Sequence, residues 1–393
     1  MHLQESQQAT SAVALRSPAV AMLLVAWLLT FTLPAQSANT DYALIMPKAQ
    51  SSLLLDIAAA GDRLVAVGER GHILYSDDGG RSWKQARVPT SVMLTRLSFI
   101  SASTGWAVGH DGNILLSTDG GLNWVLQRDG VSDQALINED RVAYVRGKVS
   151  DLQRQLASET PLQIDDLQGE LDEAESALEA ALGVMDEPVY APPLMDIWFA
   201  NDEQGWASGA FGSLLHTTNG GRSWEDRGHT LNNPEEPHLN GLAGDSSGTL
   251  YIASEWGTVY RSTSRGESWE AIETGFEGSF FGIVVNPSSD SVFAYGLLGT
   301  IYRSTDHGGT WQPLDTNTRD SLFGAACAAD GTLVFVGQNG TALLTDDDGK
   351  NLSLLDQGSR RGLYGVTVMS NGQFFVTGEG GSAPLSGVPD NRR

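Results

Sequence analysis

His110 and Asp111 stand side by side in the chain, an imidazole beside a carboxylate, which is the pairing that acid–base catalysis uses. Asp56 and Asp196 are candidates for paired-carboxylate chemistry, as in the hydrolysis of glycosidic bonds. Either pair acts only where a fold brings it to one concave place, and any ring-shaped repeat gathers a few such groups near its axis. No catalytic residue is assigned on this basis. No spacing of ligand residues reads as a metal site, no glycine-rich segment reads as a phosphate loop, and no cofactor is expected. Cys327 is the only cysteine, which excludes an internal disulfide; in the run from Phe323 to Ala328 it reads as a small apolar residue.

The framework that would position these groups is a repeat. Ser76-Asp77-Asp78-Gly79-Gly80-Arg81-Ser82-Trp83 returns in variants that carry Asp119 and Trp124, Asn219 and Trp224, Ser264 and Trp269, and Asp306 and Trp311, with a sixth copy ending at Leu352. The steps between closing residues are 41, 100, 45, 42 and 41, so one period holds apart from a single insertion of about 55 residues. Units of that length with four short strands predict an all-β, seven-bladed β-propeller with an inserted α-helical hairpin. In each box the Asp or Asn is expected to bond its own backbone two residues on, the second Gly to take positive φ, and the Trp to bury against a neighbouring blade.

A second element repeats seven times, a Gly-x-x-Gly turn before the third strand, as in Gly68-Glu69-Arg70-Gly71 and, with one Ser, Ser254-Glu255-Trp256-Gly257. Seven turns against six boxes leave the last unit without a fourth strand. An open sheet edge is a liability, so 41–46 is expected to pair with Leu363 to Ser386 and close the ring. The domain reading is a signal peptide at 1–37, blades 1–2 with the closing strand at 38–131, the hairpin at 132–187 and blades 3–7 at 188–393. Arg16, the apolar run Ala19 to Leu33 and the small residues Ala35 and Ser37 carry the signal-peptide reading, with no cysteine after the cleavage point to take a lipid. Apolar spacing of 3 and 4 from Val142 to Leu156 and from Ile164 to Leu178 predicts two paired helices, with a helix start at Thr160-Pro161-Leu162-Gln163. The second helix carries Asp165, Asp166, Glu170, Asp172, Glu173, Glu175 and Glu179 and no Lys or Arg.

Topology sorts the loops. Boxes share one face of the disc; the Gly-x-x-Gly turns, the channel mouth and the hairpin share the other. The innermost strands begin at Asp56, Arg96, Asp196, Gly241, Gly282, Gly324 and Gly365, preceded in the last four by Asn240, Phe281, Phe323 and Tyr364. One side of the mouth is thus expected to be charged and the other aromatic. The candidate interaction face comprises Arg70, Arg96, His110, Phe211, Trp256, Leu297, Leu298, Phe281, Phe323 and Tyr364, since clustered exposed apolar tips signal binding. A formal net charge of -24 argues against nucleic acid and anionic lipid as partners and for a basic surface.

The boxes resemble the Asp-box, or BNR, repeat, also found in sialidases, and the near-regular secreted units resemble more closely the photosystem II stability and assembly factor family of seven-bladed propellers. That resemblance covers about Leu53 to Ser386 apart from the insertion. It implies a secreted, periplasmic, noncatalytic and monomeric binding propeller that assists a membrane protein complex or envelope transporter without itself entering the membrane. Family members engage partners partly through arginines, and the corresponding face here has only Arg70 and Arg96. The alternative is a sialidase-like glycoside hydrolase, for which Arg96, Asp56 and Tyr364 can be nominated, although no second or third arginine occupies an equivalent strand start.

Overall fold

The computed structural model describes residues 41–157, 164–231, 233 and 235–388. The signal-peptide segment and the helix start at 160–163 lie outside them. Seven antiparallel sheets follow one another, six of four strands and the last of three. They are blades 1 to 7, spanning 54–85, 94–128, 194–226, 239–273, 280–313, 322–354 and 363–384. The second strand of a blade is covered by neighbours on both faces. In Gly105–Gly109, Leu250–Ser254, Leu333–Gly337 and Phe374–Gly378 every residue is buried, which is why these strands read as unbroken apolar runs without alternation.

Seven apolar clusters, one at each blade interface, hold the ring together. Each Trp of a box packs on the preceding blade, as Trp269 does beside Trp206 at 5.9 Å. The box itself differs from expectation in one respect. Asp78 reaches four residues on, accepting from the Ser82 amide at 2.9 Å, and Asp119, Asn219, Asp306 and Asp347 do the same for their own fourth neighbours. The first-position hydroxyl fills the remaining space, with Ser76 Oγ accepting from Gly80 N at 2.9 Å. Because Ser76 Oγ already holds the Gly80 amide, a two-residue reach from Asp78 would compete for that same donor; the longer reach bonds the Ser82 amide instead and closes the whole turn.

The N-terminal segment does not close the ring. Residues 41–46 run beside the outer edge of blade 1, where Ala43 N donates to Val88 O at 3.0 Å, Gln85 Nε2 donates to Leu44 O at 2.8 Å and Arg87 lies 4.4 Å over the Tyr42 ring. Buried Ala43 joins the cluster between blades 1 and 2. Blade 7 therefore keeps three strands, and closure comes from face packing of Leu54, Ile57 and Leu64 of blade 1 on Met369 and Phe375 of blade 7. A single 3-10 turn at Ala49–Ser51 passes over the start of the last strand, so close that a Cβ on Gly381 would lie 1.9 Å from Gln50 O.

The inserted helices are α1, Gly130–Leu156, and α2, Ile164–Met185. They pair along Val149, Leu152, Leu171 and Ala174, as the spacing predicts. Asp129 caps α1 by accepting from the Val131 and Ser132 amides. The hairpin is fastened to blade 2 by Arg128, which donates to Gly112 O at 2.6 Å and pairs with Asp133 at 2.8 Å.

Candidate interaction face

Every first strand opens with the same irregularity, a β-bulge one residue before the positions identified as strand starts: Leu54/Asp56 in blade 1, Leu94/Arg96 in blade 2, Phe280/Gly282 in blade 5 and their equivalents. The bulged residues are Leu55, Thr95, Met195, Asn240, Phe281, Phe323 and Tyr364, and together with Arg96 they line a cavity of about 220 Å³ at the channel mouth. The sequence reading named only the last four. Leu55, Thr95 and Met195 stand at the same offset from their turns and were findable by it.

Beneath the mouth the two halves of the axis differ. In blades 1 to 3 the strand starts are charged: Arg96 lies 3.7 Å from Asp56 and 3.5 Å from Asp196. The carboxylates also tie blades together, since Asp56 accepts from Leu97 N of blade 2 and Asp196 from Leu242 N of blade 4, each at 2.8 Å. Burial pushes Asp56 up to about 6 against the pull of Arg96 and the Leu97 amide, and raises Asp196 in the same way. Burial also works against the Arg96 charge, but Asp196 and Asp56 outweigh it and hold the guanidinium above its ordinary value. The two directions are compatible, because two carboxylates share one cation and the second charge is left uncompensated. In blades 4 to 7 the same position is glycine, and the vacated space is used by others. A Cβ on Gly282 would meet the Tyr295 hydroxyl at 2.2 Å, and one on Gly324 the Tyr364 carbonyl at 2.6 Å. Above these glycines Phe281, Phe323 and Tyr364 form a series of neighbouring rings, with centroids 5.7 and 5.2 Å apart.

Around this mouth stand the Gly-x-x-Gly turns. Their third residue has positive φ in six blades: Arg70 57°, Asp111 57°, Phe211 54°, Trp256 55°, Leu298 59° and Asn339 57°. The sequence does not show this, because Phe, Trp and Leu are residue types that disfavour a left-handed backbone. For non-glycine residues this backbone costs about 1 kcal/mol, least for Asn and Asp, whose side chains bond locally. Blades 3, 4 and 5 nonetheless carry Phe, Trp and Leu there, exposed by 52%, 56% and 57%. Phe211 is flanked by Tyr190 at 6.3 Å and His238 at 5.2 Å. Arg70 and His110 are also exposed, while Leu297 is half-buried.

The residues nominated for glycosidase chemistry have other work. Arg96 is enclosed by two carboxylates of its own chain, and Tyr364 is raised by burial and by Glu379, away from a nucleophilic phenolate. His110 and Asp111 sit on an exposed turn. Among the described residues no group of three or more His, Cys, Asp or Glu side chains could hold a metal ion, and no helix is long and apolar enough to cross a membrane.

Comparison with known proteins agrees with this architecture. The solved structure of YCF48 bound to D1 peptide superposes with a TM-score of 0.59 at 16% identity, covering 91% of this chain and all of that one. YCF48 from Cyanidioschyzon merolae gives 0.57 at 16% identity, covering 87% and 97%. The WD40 propeller of Doa1 scores as well, 0.58 at 13%, so these likenesses establish the fold alone. In sequence, photosystem II assembly lipoprotein Ycf48 of Synechococcus sp. (strain CC9902) is 39% identical over 77 residues, which is 20% of this chain and 22% of that protein. The family model for photosynthesis system II assembly factor YCF48 matches residues 25–118 and 181–393, every blade but the end of the second, and passes over α1 and most of α2. On that match the chain belongs to the photosynthesis system II assembly factor YCF48 family.

Proposed function

We propose that this protein is an exported, noncatalytic binding propeller that assists the assembly of a membrane protein complex, in the manner that the names of its relatives give for photosystem II. The observation that carries this reading is the row of Phe211, Trp256 and Leu298 on three consecutive blades, in a backbone conformation that Asn would occupy at less cost. An exposed apolar residue held against local strain beside an aromatic mouth serves contact rather than folding. Aromatic anchors ringed by charged groups are where protein interfaces concentrate binding energy. The relative solved with a D1 peptide supports a peptide or protein partner. The enclosed Arg96 and the raised Tyr364 speak against the hydrolase alternative.

Photocrosslinking in intact cells from positions 211, 256 and 298 should capture a membrane protein, whereas positions 81 and 222, in boxes on the opposite face, should capture far less. Equal capture from both faces would refute the assignment of this surface.

A further inference from the structure

The hairpin that the family model passes over has an unfilled surface of its own. Along the α1–α2 seam runs a groove of about 600 Å³ with Val149, Leu178 and Leu182 along its floor and, along one rim, Glu175 and Glu179 of α2 and Asp186 just past its end. Leu178 is half-buried against the seam, and Leu182, 41% exposed, and Met185, 44% exposed, continue its line at i+4 and i+7 out into solvent. Two paired helices bury one stripe each; an exposed continuation of that stripe is where a third helix would nest its ridge. Among the described residues no ion pair joins any carboxylate of α2 to a cation, and the helix contains no Lys or Arg to supply one.

Charge decides what fits. A second copy of the hairpin would bring Glu175, Glu179 and Asp186 against the same three carboxylates, and an anionic bilayer would meet the same repulsion. We propose that the groove receives an amphipathic helix of a partner protein, with apolar anchors at i, i+3 or i+4 and i+7 and Lys or Arg on its flanks. Its anchors would span about 10 Å, the length of the Leu178 to Met185 stripe at 1.5 Å per residue. The proposal rests on the protein-binding role above but places a separate contact on the hairpin, held in a fixed position on blade 2 by Arg128 and the Asp129 cap.

The test uses the mature chain and three labelled synthetic peptides: an amphipathic Leu/Lys helix, the same helix with Glu for Lys, and a scrambled Leu/Lys sequence of equal charge. Fluorescence anisotropy should show the amphipathic Leu/Lys helix binding at least tenfold more tightly than either control. Leu182→Asp should remove that preference, and Glu175→Gln with Glu179→Gln should weaken binding and flatten its salt dependence. Leu182 is exposed enough for its variant to fold, and circular dichroism checks that it has. Equal binding of the scrambled peptide would mean diffuse charge attraction and would overturn the proposal. So would a concentration-dependent dimer in sedimentation that Leu182→Asp abolishes, since the occupant would then be a second copy. Neither result depends on the turn tips probed by crosslinking, so the two readings fail separately.

Discussion

Blades 1 to 6 each carry two recurrent turns at opposite ends, and they are put to different uses. Both rely on positive φ. In the tryptophan box two adjacent positions have positive φ. The first is glycine in blades 1 to 3 and Arg265, His307 or Asp348 in blades 4 to 6. The second is glycine in all six boxes, as at Gly121, Gly266 and Gly308, and its missing side chain lets the turn lie against the preceding blade. A Cβ there would meet Val65 at 2.8 Å, the Trp206 ring at 2.0 Å and Tyr251 at 2.7 Å. The box's polar side chains are spent on the turn itself, as at Asp78, or on the preceding blade, where His307 meets Asp245 at 2.9 Å and Asp348 accepts from Ser291 Oγ at 2.7 Å. In the Gly-x-x-Gly turn the position before the last glycine has a full side chain in the same conformation, and that side chain goes to solvent. A turn whose strained positions carry glycine or polar residues directed at the turn and the preceding blade is scaffold; one that accepts strain to present Phe, Trp or Leu is a contact surface.

The largest effect expected from breaking this contrast is at Gly266. Alanine there combines left-handed backbone strain with overpacking of Trp206 and should cost about 3 kcal/mol. Gly79→Ala, at φ 69° with open space around it, should cost about 1 kcal/mol. Urea unfolding measures both. Similar losses at the two positions would mean that the box is only a turn and has no part in blade packing. Crosslinking per folded molecule should be unchanged in either variant.

Replacement of the tips tests the opposite end. Trp256→Asn puts in the residue that blade 6 already uses at Asn339. Relief of strain and loss of partial burial should nearly cancel, leaving stability within about 1 kcal/mol of the parent. Partner capture from position 211 or 298 should nevertheless fall severalfold. A variant that loses stability and keeps capture would make the tips structural and reverse the comparison.

How far the sequence shows this depends on whether a feature repeats. Boxes, turns and the hairpin seam are periodic, so the ring, the blade count and the helical insertion are legible from residues such as Trp83, Gly71 and Val145. Ring closure happens once, and nothing periodic marks it. A strand was expected from 41–46 because a missing strand in blade 7 was counted; instead Met369 and Phe375 bury their faces on blade 1, and Ala43 goes elsewhere. The charged and aromatic halves of the mouth were visible in Asp56, Arg96, Asp196, Phe281, Phe323 and Tyr364. The left-handed backbone of Phe211, Trp256 and Leu298 was not, because side-chain type argues against that conformation.

The smallest effect sharpens the contrast between the boxes and the axis through pH. Hydrogen bonds within the boxes hold Asp306 and Asp347 at about 2, below their ordinary 3.8. A carboxyl whose folded value is depressed contributes stability above its unfolded value and loses it as pH falls, here from about 4 toward 2. Asp56 has the opposite sign: raised to about 6 by burial, it contributes below about 4 and loses that contribution as pH rises through 6. Asp306→Asn should therefore flatten the acid limb of urea midpoint against pH. The box should stay intact, since Asn219 makes the same bond to Ser223 N at 3.0 Å in blade 3. Asp56→Asn should flatten the limb between pH 4 and 7 and leave the acid limb as it was, because an amide oxygen still accepts from Leu97 N. If both variants altered the same limb, the boxes and the axis would not be the electrostatically separate regions that their geometry describes.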